Sequence, residues 1–220
     1  MAFTFNQKVK TILKLLTEPK VLSALLSQRD FGYLSEIGWF ESFKSLKSLD
    51  RNGNPIPWFS YPFIDFLTPR LSKKLVLFEF GSGNSTLFFA EKLKKVISIE
   101  HNKEWYQLVN KSKPLNVELI FTKTDSSSDY LEYLFDLKGD LDIVIVDGLH
   151  RIDCLKLAVE KLSDRGVIIL DDSERPEYKD GIEFVLQKEF KSLEFWGIAP
   201  TVLFKKCTTV FYKANNCLQV

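Results

Sequence analysis

Cysteine is scarce in this sequence. Cys154, Cys207 and Cys217 are the only three in 220 residues, they are widely separated, and none forms a C-x-x-C pair. That spacing argues against a disulfide framework or a zinc site and suits a reducing compartment. Long apolar runs are missing too. The opening stretch MAFTFNQKVKTILKLLTEPKVLSALL is broken by Lys, Glu and Pro, unlike the core of a signal peptide, and no segment reaches the ~20 apolar residues of a membrane span. Neither charge sign dominates: 30 basic against 29 acidic side chains leave a net charge of +1, which removes any global electrostatic footprint for nucleic acid. Internal repeats and low-complexity tracts are absent. These absences predict a soluble cytoplasmic protein with no nucleic-acid partner, and they leave a homo-oligomer open.

What is present is a globular composition. Apolar residues make up 45% and aromatics 14%, with 19 Phe, enough for a sizeable core in one compact domain with an appendage. Residues 5–48 carry apolar side chains at three- and four-residue spacing, so they read as helices, with Pro19 ending the first segment. DRNGNPIPW, from Asp50 to Trp58, is a turn-rich linker and the expected main boundary. SYPFIDFLTPRL follows as a helix with Ser60 at its N-cap and Pro62 in its first turn.

Beyond the linker, LVLFEF, VISIE, VELIF, DIVIVD and GVIILD each have the length of a buried strand, with helical stretches between them. This alternation predicts a doubly wound α/β fold with a parallel sheet, its strand C-termini on one edge. The alternation then stops. KSLEFWGIAP and KKCTTVFYKAN are strand-like runs separated by a loop alone, so the second is expected to run antiparallel to its neighbours.

The stretch LVLFEFGSGNSTLFFAEKL reads strand, glycine turn, helix. Gly81 and Gly83 supply two glycines of a dinucleotide-binding G-x-G-x-x-G, but the third position is Thr86, and no G-K-[ST] follows as a phosphate-binding loop requires. An ordinary tight turn is the competing reading of two glycines. VISIE ends in Glu100, 19 residues after Gly81, where a carboxylate can accept hydrogen bonds from ribose hydroxyls. Turn and acid together favour a nucleoside site.

FEFGSGNS, ISIEHN, DIVIVDG and GVIILDD resemble the class I S-adenosylmethionine-dependent methyltransferases. The family's acid-x-Gly-x-Gly is met by Glu79, Gly81 and Gly83, its next strand-end acid by Glu100, and its third small residue by Ser85. The likeness spans roughly residues 60–213 and is closest in style to small O-methyltransferases of the catechol and caffeoyl-CoA type. It implies a Rossmann-like, mostly parallel seven-stranded sheet with an antiparallel last strand. Residues 1–57 would be a helical cap and linker, and residues 58–220 the methyltransferase-like domain. It also implies S-adenosylmethionine as cofactor and a small-molecule or carbohydrate-like acceptor methylated on oxygen. In that pattern Glu79 lies near the methionine ammonium, and the backbone of Gly81, Ser82, Gly83 and Asn84 passes the methionine portion. Glu100 holds the ribose, His101 flanks the adenosine, and Asp125 and Ser126 reach adenine. Such a cofactor has no pyrophosphate, so Thr86 costs nothing.

Three acids stand at the ends of the fourth and fifth strand runs: Asp147, Asp171 and Asp172. Neighbouring strands lie ~4.8 Å apart, so these carboxylates can converge and would repel one another unless a cation or protons intervene. Oxygen-only ligands favour Mg²⁺ or Mn²⁺, which would hold an acceptor hydroxyl as a Lewis acid. The metal-dependent catechol-type enzymes carry Asp-Asn where this chain has Asp171-Asp172, and helix capping is the alternative use of such residues. His150 follows the fourth strand run, where an imidazole could take the acceptor's proton. Asp147, His150 and Asp171 are the candidate catalytic residues. Of the aromatics Trp39, Phe40, Trp58, Phe59 and Tyr61, a cofactor-side role over the sulfonium is expected only for Trp58 and Tyr61. Two other readings remain: a nicotinamide-dependent oxidoreductase, disfavoured by Thr86, and a non-catalytic nucleoside-binding or assembly module, which would not need Asp147 and Asp171.

Overall fold

A computed structural model describes residues 4–122, 126–137 and 141–220. The helices before the sheet are α1 (Phe5–Leu16), α2 (Pro19–Asp30), α3 (Tyr33–Glu36), α4 (Trp39–Ser45) and α5 (Tyr61–Leu67). Strands and helices then alternate: β1 (Val76–Phe80), α6 (Asn84–Lys92), β2 (Lys95–Glu100), α7 (Lys103–Ser112), β3 (Val117–Phe121), α8 (Ser127–Asp136), β4 (Leu141–Val146), α9 (Arg151–Lys161) and β5 (Leu162–Asp171). The chain closes with α10 (Lys179–Gln187), β6 (Lys191–Gly197) and β7 (Lys206–Tyr212). Pro19 opens α2 rather than merely ending α1, as a residue without a backbone donor can at a helix start.

The seven strands form one sheet in the order β3-β2-β1-β4-β5-β7-β6. The pairs β1–β2, β1–β4, β2–β3 and β4–β5 are parallel, and β7 runs antiparallel to both β5 and β6. A loop too short for a helical crossover leaves β7 only the reversed direction, as the sequence predicts. The chain order reverses at β1, with β2 on one side and β4 on the other, which opens a crevice above the strand C-termini.

Strand alternation splits the core into two layers. Leu77, Ile143, Ile145, Val167 and Ile169 face a cluster with Trp39, Phe59, Tyr61, Phe63, Leu67 and Phe89. Phe78, Phe80, Val144, Val146, Ile168 and Leu170 face the other, with Tyr130, Leu134, Leu155 and Val185. Tyr61, expected beside the cofactor, is instead buried in the first layer, because the turn of α5 that carries it packs down on the sheet. Ser60 occupies the N-cap position of α5 but does not cap it; its Oγ donates to the Phe195 carbonyl at 2.8 Å and its N–H to Thr208 Oγ1 at 3.0 Å. The linker is fastened to the same body: Ser48 Oγ reaches the Ile56 and Pro57 carbonyls, and Trp39 Nε1 donates to the Val202 carbonyl. Cys154, Cys207 and Cys217 are free thiols, and no helix among the described residues is long and apolar enough to cross a membrane.

Candidate active site

The glycine turn leaves β1 at Gly81, whose φ of 102° lies where only glycine is unstrained. Its N–H donates to the Ile99 carbonyl at 2.9 Å, tying the turn to β2. Gly148, just beyond β4, is required for space: a Cβ there would sit 2.0 Å from the Tyr130 hydroxyl. These two glycines let the β1 and β4 ends approach closely under the crevice.

Glu79 lies on β1 with its side chain in the layer beneath α6, 1% exposed. Ser98 Oγ donates to its Oε1 at 2.5 Å, and Thr86 Oγ1 donates to the same oxygen. Thr86 Oγ1 in turn accepts the Gly83 N–H at 3.0 Å, so the residue replacing the third glycine links the turn to the buried acid. Burial pushes the Glu79 carboxyl up to about 7, against the pull of its hydroxyl donors.

Glu100 is buried at the end of β2 and is already engaged. Ser82 N and Oγ donate to Oε2, both at 3.0 Å, and the N–H groups of His101 and Asn102 donate to Oε1 at 2.9 and 2.8 Å. The acid therefore fixes both the glycine turn and the entry to α7, in addition to any ligand it holds.

Three cavities line the strand edge. The first, about 160 Å³, is bounded by Glu79, Gly81, Ser82, Ser85, Glu100, His101, Trp105 and Asp147. The second, about 410 Å³, runs from Ser82, Gly83, Asn84 and Ser85 to Lys47, Ser48, Ile56, Trp58 and Trp105, and again reaches Asp147. The third, about 420 Å³, joins Trp58 and Asp147 to Asp171, Asp172, Glu174, Arg175, Phe204 and Lys206. Hollows of 740 and 570 Å³ lie elsewhere, along α8 and α9 and around α2 to α4, but touch no strand end. The strand-edge set is the better candidate, because open α/β sheets bind ligands at that edge.

Most predicted cofactor residues converge here. Trp58 joins the second and third cavities, its Nε1 held at 2.6 Å by the Pro200 carbonyl. Asn84 Nδ2 donates to the Ser48 carbonyl at 2.7 Å, so the linker becomes a wall of the cavity. His101 lies at the edge of the first cavity, its Nδ1 3.4 Å from Glu100 Oε1. Ser126 caps α8 through its side chain, while Asp125 lies outside the described residues. His150 does not join Asp147 and Asp171 around these cavities. It is exposed, starts α9 in a left-handed conformation (φ 49°), and sets its ring edge-on to Tyr130 at 6.2 Å.

The three acids do converge, but with cations from the chain itself. Lys206 Nζ sits 2.5 Å from Asp171 Oδ2 and 2.7 Å from Asp172 Oδ1, and donates to the Trp58 carbonyl at 3.3 Å. Asp171 Oδ1 accepts Thr208 Oγ1 at 2.7 Å. Arg175 lies 2.6 Å and Arg151 3.5 Å from Asp172 Oδ2, and Arg151 Nη2 lies 3.0 Å from Asp147 Oδ1. Three carboxylates thus face three side-chain cations. The donor set does not fit the expected Mg²⁺ or Mn²⁺ ion on Asp147, Asp171 and Asp172: both oxygens of Asp171 and of Asp172 are engaged, Asp147 Oδ1 meets Arg151, and an ammonium sits between Asp171 and Asp172. Among the described residues no group of His, Cys, Asp or Glu side chains is arranged to hold a metal.

Burial raises the Asp147 and Asp171 carboxyls above the ordinary range, with Arg151 and Lys206 respectively opposing it. Burial would also raise Asp172, but Lys206, Arg151 and Arg175 outweigh it and leave this acid below the usual value. Burial alone would depress Lys206, yet Asp171 and Asp172 hold it above the ordinary lysine value. The elevations of Asp171 and Lys206 compete for one proton. We assign it to the lysine, because two carboxylates surround a single ammonium.

Sequence reasoning missed Trp105, Arg151 and Lys206. Trp105 Nε1 donates to the Ser82 carbonyl, which lays the indole across the glycine turn. Arg151 carried a signal, four residues after Asp147. Lys206 carried none, because its neighbours follow from the β5–β7 register, in which Asp171 faces Thr208.

Residues 78–173 match the family model of a methyltransferase domain, an interval running from β1 through β5. No curated protein matches the sequence. Among solved structures, a Geobacter metallireducens precorrin-6y C5,15-methyltransferase is similar at a TM-score of 0.55 and 16% identity, over 70% of this chain and 87% of its own. A Klebsiella pneumoniae protein assigned as an O-methyltransferase is similar at 0.56 and 12%, over 88% of this chain and 96% of its own. The O-methyltransferase TomG of Streptomyces achromogenes, involved in tomaymycin synthesis and solved with S-adenosylmethionine, is similar at 0.52 and 16%, over 67% and 77%. At these identities the structures establish a shared fold. The motifs, the methyltransferase-domain match over residues 78–173 and the sheet order together support a class I S-adenosylmethionine-dependent methyltransferase fold.

Proposed function

We propose that the protein transfers the methyl group of S-adenosylmethionine to an oxygen of a small-molecule or carbohydrate-like acceptor, without a catalytic metal. The observation that carries this reading is the position of Asp147, which borders all three strand-edge cavities. In this reading the first two cavities take the cofactor: Glu79 faces the methionine ammonium, the Gly81–Asn84 backbone passes the methionine portion, and Glu100 and His101 hold the adenosine. The third takes the acceptor, between Trp58, Phe204 and the balanced acids. Trp58 borders both sides, where an aromatic face suits a sulfonium.

The sulfonium is already activated, so the protein's main contribution is alignment. The acceptor oxygen attacks the methyl carbon, the sulfur–carbon bond breaks, and S-adenosylhomocysteine is left. The acceptor's proton passes to Asp147, the least enclosed of the three acids, whose elevated pKa suits a base. Asp171 and Lys206 position that edge and do not touch the reacting atoms.

Calorimetry with S-adenosylmethionine, S-adenosylhomocysteine and NAD tests the cofactor assignment. Binding of both adenosyl compounds with none of NAD is expected; tight NAD binding with no adenosyl response overturns it. Asp147→Asn should then abolish turnover of a hydroxyl acceptor while leaving S-adenosylhomocysteine binding within about twofold.

A further inference from the structure

The first helix is built to stand by itself. Thr4 and Gln7 form a reciprocal capping box, with Thr4 N to Gln7 Oε1 at 2.8 Å and Gln7 N to Thr4 Oγ1 at 3.3 Å, so α1 needs no tertiary partner to begin. No residue of α1 is buried, and only Leu15 is half-buried. Phe5, Val9, Ile12, Leu13 and Leu16 are all exposed, from 41% for Val9 to 80% for Phe5. At 3.6 residues per turn these five fall within an arc of about 100°. Val21, Leu25 and Leu26 of α2 are exposed as well. A contiguous apolar face of this kind calls for a partner.

Charge identifies that partner. Lys8 and Lys10 flank the apolar arc on either side and Lys14 stands on the far face, while α1 contains no acidic residue. The nearest acid, Glu18, lies 4.0 Å from Lys14. A second copy of this chain laid against the arc would bring its own lysines to ours with no acid from α1 to meet them. An anionic lipid surface satisfies both features, because the long lysine stems reach headgroup phosphates while the apolar arc enters the acyl boundary.

We propose that α1 lies in the plane of an anionic membrane surface and docks the protein there. The helix has 12 residues, which is enough for an interfacial helix and too few to span. Docking leaves the strand-edge cavities on the body of the protein.

Co-sedimentation of the full chain with vesicles tests this, comparing a two-to-one mixture of phosphatidylcholine and phosphatidylglycerol with pure phosphatidylcholine. Binding to the mixed vesicles alone is expected, weakening as salt is raised. Replacing Lys8 and Lys10 together by Gln should weaken it on the order of 25-fold, from about fivefold per lysine near an anionic surface, whereas Lys14→Gln alone should change it little. The double variant Ile12→Asp, Leu16→Asp should abolish binding with an unchanged circular dichroism spectrum, whereas Leu115→Asp, an exposed leucine outside α1, should leave it intact. Equal binding to both vesicle types, no binding to either, or a dimer in sedimentation velocity that Ile12→Asp dissolves would each overturn the proposal.

Discussion

Replacing Glu79 by Gln should make the free protein more stable above neutral pH and impair its cofactor site. Glu79 is fully enclosed between β1 and α6, where the hydroxyls of Ser98, Thr86 and Ser85 offset its charge. Its carboxyl ordinarily titrates at 4.5 and is held at about 7 in the fold, burial being the main cause. The folded chain therefore binds more protons than the unfolded chain between those values. Its contribution is fully present below pH 4.5, falls as pH rises, and is lost above 7. That gap corresponds to about 3 kcal/mol. Glutamine keeps the shape and the oxygen that accepts from Ser98 and Thr86, and it does not ionise. Urea unfolding at about pH 4 and about pH 8.5 measures the difference: Glu79→Gln should match the parent at the lower pH and exceed it by about 3 kcal/mol at the higher. Binding of S-adenosylhomocysteine should move oppositely, strengthening through pH 7 in the parent as its ammonium meets an ionised Glu79, and falling at least about tenfold in the variant. Parallel stability profiles for the two proteins across this range would refute the reasoning.

Glu100→Ala should weaken cofactor binding by about 1.5–3 kcal/mol and also lower the melting temperature, because the N–H groups of Ser82, His101 and Asn102 lose their acceptor; an unchanged melting curve contradicts the assignment. Gly148→Ala should destabilise by about 1–3 kcal/mol, since its methyl group would meet the Tyr130 hydroxyl, and a double-mutant cycle with Tyr130→Phe should recover part of that loss in urea unfolding. Lys206→Ala should cost about 3–5 kcal/mol by leaving Asp171 and Asp172 without their ammonium. Mg²⁺ should raise the melting temperature of that variant and not of the parent, and a parent response reversed by chelator would restore the metal-site expectation.

The sequence by itself determined the sheet and the place of the glycine turn and Glu100 at its edge. Apolar runs of strand length such as LVLFEF and DIVIVD, with helical stretches between them, mark strands buried on both faces, and the absence of a helix before KKCTTVFYKAN leaves that strand only the antiparallel direction. Gly81 and Glu100 were legible because a positive φ and a strand-end acid follow from local chain geometry. The arrangement above β4 and β5 was not legible. Lys206 lies 35 residues from Asp171 in sequence, and only the β5–β7 register brings its ammonium between Asp171 and Asp172, replacing the expected ion with a side chain. Tyr61 and Trp58 are three residues apart in one aromatic stretch, yet one is buried in the core and the other borders two cavities. Composition could not separate them, because Tyr61 opens α5 and is pressed onto the sheet while Trp58 stays in the loop before it, a difference decided by packing between elements.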